Sequence, residues 1–106
     1  PGLFEAQRAG HPVTVRAEGV ARNSLGAPSI GALPWEILKD RVGPTVLVSD
    51  KAILAAQAWL WRESRILAEP GGVAALAAML CGAWTPDEEG PVGVVICGGN
   101  ADSLPV

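Results

Sequence analysis

Two short stretches carry the residues of this sequence that are best suited to bind a ligand. The first, Cys97-Gly98-Gly99-Asn100, directly follows an apolar run, and its glycines leave bare backbone that a flat ligand can approach closely. In open α/β sheets, ligands bind beyond the carboxyl ends of the strands, and this stretch would occupy such a place. A tight turn with a buried structural cysteine is the alternative interpretation of the same residues.

The second stretch is Glu69-Pro70-Gly71-Gly72, at the start of an apolar segment. A carboxylate at a helix N-terminus is stabilised by the helix dipole by roughly 0.3–1 kcal/mol, so capping alone explains Glu69. A role in contacting a ligand is the alternative, because an unpaired charge between two apolar segments would be costly to bury. The sequence leaves both interpretations open.

Other chemistries find little support. Ser24 and Ser29 lack the His and Asp arrangement of a hydrolase, and His11 lies in a stretch rich in Gly and Pro. One histidine and two cysteines provide no zinc-ligand spacing, so we predict no metal site. The net charge of −3 and the scattered basic residues argue against nucleic acid as a partner. No apolar run approaches the ~20 residues of a membrane span, which argues against a membrane.

The two stretches need a framework that brings them together. Apolar residues spaced by three and four predict three helices, over residues 33–42, 50–65 and 73–83. Runs of β-branched or continuously apolar residues predict three strands, over residues 12–16, 45–48 and 92–96. This order is typical of an α/β fold with a mainly parallel sheet. Two of these strands, at 45–48 and 92–96, are strong candidates, and two strands do not form a stable sheet alone, so we expect the others to come from residues outside this chain.

Four sequence elements follow one another along most of the chain. They are Ala17-Glu18-Gly19-Val20, V-S-D-K-A-I at 48–53, I-L-A-E-P-G-G-V-A-A-L-A-A at 66–78 and V-V-I-C-G-G-N at 94–100. In order and spacing they resemble the A-D-G-[IV], V-[ST]-D/E-x-x-I, E-P-[AS]-G-A-x-x-x-A-A and V-V-[SC]-G-G-N elements of one enzyme group. This group comprises the serine/threonine dehydratases and serine racemases of the fold-type-II pyridoxal-phosphate family.

The resemblance implies that residues 1–106 form, without an internal boundary, the C-terminal portion of the large cofactor-binding domain. Such a domain has three layers, with helices flanking a mainly parallel sheet. In the full-length enzyme, the residues implied to contact pyridoxal phosphate are Cys97, Gly98, Gly99, Glu69 and Asn100. Cys97 would lie beside the pyridine nitrogen, Glu69 would orient or hydrogen-bond the active-site face, and Asn100 would hold the loop.

For the whole enzyme, the resemblance implies a lyase of amino-acid metabolism. It would eliminate water from serine or threonine and release a 2-oxo acid and ammonia. The two cysteines are too few for a disulfide framework, which favours a reducing, cytoplasmic setting. The alternatives are an amino-acid racemase or β-replacement enzyme of the same fold, and a non-catalytic scaffold that binds a partner. The implied partners are the amino-acid substrate, the remainder of the enzyme and further copies in a homo-oligomer.

The chain lacks several parts that the family uses for catalysis. Its only lysines, Lys39 and Lys51, do not have the S-x-K-x-R-G flanks of the cofactor-binding lysine. The S-G-N-H stretch and the glycine-rich phosphate loop are also absent from the sequence. We therefore predict no catalytic residue in this chain and no dehydration by the chain alone.

Overall fold

The computed structural model describes residues 1–103, so the last three residues of the predicted 1–106 portion lie outside the described range. The helices within that range are α1 (Gly2–Ala9), α2 (Arg22–Leu25), α3 (Ala32–Leu38), α4 (Asp50–Ser64), a 3₁₀ helix (Pro70–Val73) and α5 (Ala74–Leu80). None of these helices is long and apolar enough to cross a membrane.

Helix α4 is the longest element and confirms the helix predicted over residues 50–65. Its first turn is capped by Ser49, whose Oγ accepts a hydrogen bond from the Ala52 N–H at 3.2 Å. The helix ends at Ser64, and the next residue, Arg65, adopts a left-handed conformation with φ of 55°. Spacings of three and four place one face inward, and the residues buried on that face are Ile53, Ala56, Gln57 and Leu60.

The core lies between α4 and the segment that contains the 3₁₀ helix and α5. Its buried members are Ile53, Ala56, Leu60, Ala68, Val73 and Ala77. Several of these are alanines, so the backbones can approach closely, and Val73 is the largest side chain that is fully buried. Val48 and Ile96 pack against this cluster from the segments that precede α4 and follow α5.

The third predicted helix is confirmed in position, but it ends earlier than predicted. Pro70 starts a 3₁₀ turn before it, and α5 ends at Leu80, with Gly82 in a left-handed conformation (φ 77°). A helix that is apolar on all sides is typically buried on most of them or covered by another domain, and here Ala75 and Leu80 are exposed while Ala77 and Ala78 are buried.

The predicted strands are not confirmed. No strand is assigned within residues 1–103, although segments 45–48 and 92–96 lie beside the same core. A strand requires a hydrogen-bonded neighbour, and no backbone hydrogen bond joins these two segments in the described part of the chain. The α/β class is thus seen here only through its helices and the extended segments between them.

Residues 1–32 are more helical than the sequence predicts. Helix α1 has no counterpart in the predicted elements. Gly and Pro punctuate residues 23–31, which predicts an ordered loop, but the first part of this run belongs to the short helix α2. Gln7 of α1 donates to the Gly43 carbonyl at 2.9 Å and accepts from the Thr45 N–H and hydroxyl at 3.0 and 2.7 Å. Such tertiary hydrogen bonds leave no mark in local periodicity. Helix α3, predicted to reach residue 42, ends at Leu38.

Candidate cofactor-binding site

The two stretches singled out in the sequence lie in direct contact. The Glu69 N–H donates to the Gly98 carbonyl at 2.6 Å, and the Cys97 N–H donates to the Gly72 carbonyl at 3.3 Å. The loop after segment 92–96 therefore rests on the turn that starts the 3₁₀ helix. The packing of α5 against α4 holds the turn at the start of the 3₁₀ helix in place.

Glycine is required at two points of this contact. Gly98 has φ of +72°, and a Cβ there would overlap the Glu69 side chain, lying 2.5 Å from its Oε1. A Cβ at Gly72 would collide with the Cys97 carbonyl. A Cβ at Gly99, in contrast, would have no atom within 4 Å. The loop is thus closed against Glu69 on one side and open at Gly99.

Glu69 does not act as a conventional helix cap. It occupies the N-cap position of the 3₁₀ helix, yet its side chain makes no capping hydrogen bond. The carboxylate instead lies against Gly98 and lines a polar cavity of about 250 Å³. The cavity is lined by Val20, Asn23, Ser24, Glu69, Pro70, Asn100, Ala101 and Asp102. The Glu69 side chain therefore makes no capping hydrogen bond and instead lies against the loop and the cavity.

Cys97 is an exposed free thiol, so it is not a buried core residue of this chain. It does not line the polar cavity, whereas Glu69 and Asn100 do. The predicted residues therefore form one corner, with the carboxylate and the amide on its cavity side and the thiol exposed beside them. Sequence reasoning overlooked Ser24, Asn23 and Asp102, because no spacing rule links α2 to the ends of the loop.

Two of the four sequence elements meet at a second contact. Gly19 has φ of +86°, and a Cβ there would lie 2.5 Å from an Asp50 carboxylate oxygen in the first turn of α4. The A-E-G-V element thus packs against the V-S-D element, just as the 66–78 element packs against the loop at 97–98. The four sequence elements therefore form two contacts in the structure, each between two elements.

The lysines lie apart from this corner. Lys39 donates to the Glu36 carboxylate at 2.7 Å, and this hydrogen bond and the charge of Glu36 raise the pKa of Lys39 above its ordinary value. Its amine is accordingly protonated and a poor nucleophile at neutral pH. Lys51 is exposed in the first turn of α4, and neither lysine lines the polar cavity. No group of three or more His, Cys, Asp or Glu residues able to hold a metal ion occurs within residues 1–103.

The corner suits the edge of a flat heteroaromatic ring. It offers bare backbone at Gly99, an accessible thiol at Cys97 and the Glu69 carboxylate. These groups suit the ring of pyridoxal phosphate and not its phosphate group, since the chain contains no glycine-rich loop for the phosphate.

Comparison with known proteins decides the family. The family profile described as pyridoxal-phosphate dependent enzyme matches residues 1–98. The chain belongs to this family. It is 34% identical over 103 residues to a serine dehydratase-like protein of Mus musculus, covering 90% of this chain and 31% of that protein. It is 29% identical over 104 residues to a serine racemase of Oryza sativa subsp. indica, covering 92% of this chain and 30% of that protein.

A solved structure confirms the family and its fold. The crystal structure of a T.th. threonine deaminase superimposes with a TM-score of 0.73 at 30% sequence identity, over 80% of this chain and 29% of that one. This member of the pyridoxal-phosphate dependent family thus spans about 30% of the length of the curated relatives that it matches. Pyridoxal phosphate is the cofactor of the family.

Proposed function

We propose that this chain is the C-terminal portion of the large domain of a pyridoxal-phosphate-dependent serine/threonine dehydratase. The observation that carries the proposal is the corner where the loop Cys97–Asn100 rests on the Glu69 turn. In the whole enzyme, the reaction is elimination of water from a hydroxy amino acid, followed by release of a 2-oxo acid and ammonia. A cytoplasmic location and a homo-oligomeric assembly are parts of the same proposal.

The proposed three-layer fold accounts for an apolar groove on the chain. Val46 and residues 92–94 lie on its sides, with Ala75, Ala78, Met79 and Trp84 lining the remainder of its volume of about 260 Å³. An apolar groove beside two extended segments suits an additional parallel strand, which would give backbone groups of both segments a hydrogen-bond partner. We propose that the remainder of the enzyme provides this strand.

Each residue of the corner has a role in the proposed mechanism. Pyridoxal phosphate, when bound, supplies an electron sink that stabilises negative charge on the substrate. Cys97 would lie beside the pyridine nitrogen, and its thiol would not enforce protonation of that nitrogen as an aspartate would. Gly98 and Gly99 would allow close packing of the ring and the loop, Glu69 would orient or hydrogen-bond the active-site face, and Asn100 would hold the loop. The lysine that binds the cofactor lies outside this chain.

Racemisation is the second candidate, favoured by the likeness to the rice serine racemase. The two activities can be separated in the full-length enzyme that carries this chain. Purified enzyme loaded with pyridoxal phosphate is given L-serine or L-threonine, and 2-oxo acid, ammonia and D-amino acid are measured. A dehydratase releases 2-oxo acid and ammonia in equal amounts with little D-isomer, whereas a racemase accumulates the D-isomer.

A third outcome would support a non-catalytic scaffold. Full-length enzyme that neither binds the cofactor nor consumes either amino acid would overturn both enzymatic proposals. As a control, the chain alone is mixed with pyridoxal phosphate and borohydride and then digested for mass spectrometry. With one equivalent of pyridoxal phosphate we expect no site-selective adduct on Lys39 or Lys51, because neither lysine lines the cavity at the corner.

A further inference from the structure

The start of the 3₁₀ helix is capped from another part of the chain. The Gly71 N–H, one of the amides at this helix start that have no partner within the helix, donates to Ser24 Oγ at 3.1 Å. In an ordinary capped helix, the N-cap side chain, here Glu69, would accept this hydrogen bond. Ser24 thus replaces the N-cap residue Glu69 as the acceptor of the Gly71 N–H hydrogen bond.

Contacts around Ser24 hold the hydroxyl in place. Its oxygen lies 3.4 Å from the Ala21 carbonyl, to which the hydroxyl donates. A Cβ at Gly71 would overlap Ser24 and lie 2.9 Å from Leu25 Cγ, so α2 packs tightly against the turn. A hydroxyl is needed here, because the group accepts from one backbone group and donates to another.

We propose that Ser24 is a positioning residue for Glu69. Ser24 accepts the hydrogen bond from the Gly71 N–H, so the Glu69 carboxylate is not needed as the cap. The carboxylate therefore stays beside Gly98 and the polar cavity. This inference rests on the proposed function, since its consequence is tighter binding of pyridoxal phosphate. Ser24 itself contacts neither cofactor nor substrate in this scheme.

The test uses the full-length enzyme and two readouts. Deuterium exchange of the peptide that contains Gly71 reports on the cap, and fluorescence titration of the apoenzyme gives the Kd for pyridoxal phosphate. We expect Ser24→Ala to speed exchange at Gly71 and to weaken cofactor binding about fivefold, the effect of one ordinary hydrogen bond. Ser24→Thr retains the hydroxyl and should restore both values. Ser29→Ala is the matched control, because the Ser29 hydroxyl bonds only its neighbour's carbonyl, at 3.2 Å.

A double-mutant cycle distinguishes positioning from a purely structural role. If Ser24 acts through Glu69, then Ser24→Ala changes the Kd in the wild-type background and has no further effect in the Glu69→Ala background. An equal loss in both backgrounds, or unchanged exchange at Gly71, would overturn the inference. Failure of the wild-type enzyme to bind pyridoxal phosphate would instead overturn the proposed function, while the exchange measurement still tests the cap.

Discussion

Adjacent glycines in the loop differ in what they tolerate. Gly98 adopts φ of +72° and contacts Glu69, whereas the space around Gly99 is open. We expect Gly98→Ala to destabilise the full-length enzyme by roughly 1–2 kcal/mol, because a left-handed conformation strains any residue with a Cβ. Gly99→Ala is the control and should change stability by less than about 0.5 kcal/mol. Urea denaturation measures both, and equal midpoints for the two variants would contradict the described contact.

A substitution at Cys97 tests the role proposed for its thiol beside the pyridine nitrogen of pyridoxal phosphate. In the full-length enzyme, Cys97→Asp would place a carboxylate beside the pyridine nitrogen and favour its protonation, which changes the electron sink. We expect turnover to fall by about tenfold or more, a rise of roughly 1.4 kcal/mol in the activation free energy.

Cys81 provides the matched control for this substitution. It is also an exposed free cysteine but follows α5, away from the loop. Steady-state rates with L-serine and the absorption spectrum of the cofactor are compared for Cys97→Asp and Cys81→Asp. A turnover unchanged by Cys97→Asp would mean that the thiol has only a structural role.

At the scale of elements, Gln57 connects α4 to the segment that carries Glu69. It is buried, and its Nε2 donates to the Ala68 carbonyl at 2.8 Å, one residue before the turn. Gln57→Leu would leave this carbonyl without a partner in an apolar core, at a cost of about 1–3 kcal/mol. We expect a lower urea midpoint for the full-length enzyme. Leu54→Gln, at an exposed position of the same helix, should leave the midpoint nearly unchanged.

The helices show how far local sequence determines structure. The apolar periodicity of α4 and its cap at Ser49 are local signals, and the helix was predicted to within one residue. Helix α1 was missed, because Ala6 is buried and Gln7 is bonded only after distant segments such as Thr45 pack against it. The same holds at the site. The glycine loop and Glu69 were visible in the sequence, but the bond between Ser24 and Gly71 depends on tertiary packing.

At the scale of the whole molecule, the sheet is the part that sequence could predict only as a class. Thr45–Val48 and Val92–Ile96 have strand composition, yet strand pairing requires a neighbour, and the described residues supply none. The likeness to a threonine deaminase establishes the fold family. In the proposed full-length enzyme, strand order and register would depend on segments that are not among residues 1–103.

The exposed apolar surface determines how the isolated chain should behave. Val95 is 78% exposed, and Val46 and Val92 on the sides of the groove are each 39% exposed. Unpaired backbone beside apolar side chains favours pairing with another copy, so we expect the chain alone to self-associate. Sedimentation velocity at increasing concentration measures this, and Val95→Lys should shift the distribution towards monomer. Thr14→Lys adds the same charge at an exposed position away from the groove and should have little effect. A monomer that melts cooperatively would show that the groove needs no added strand, and the proposed three-layer completion would then fail.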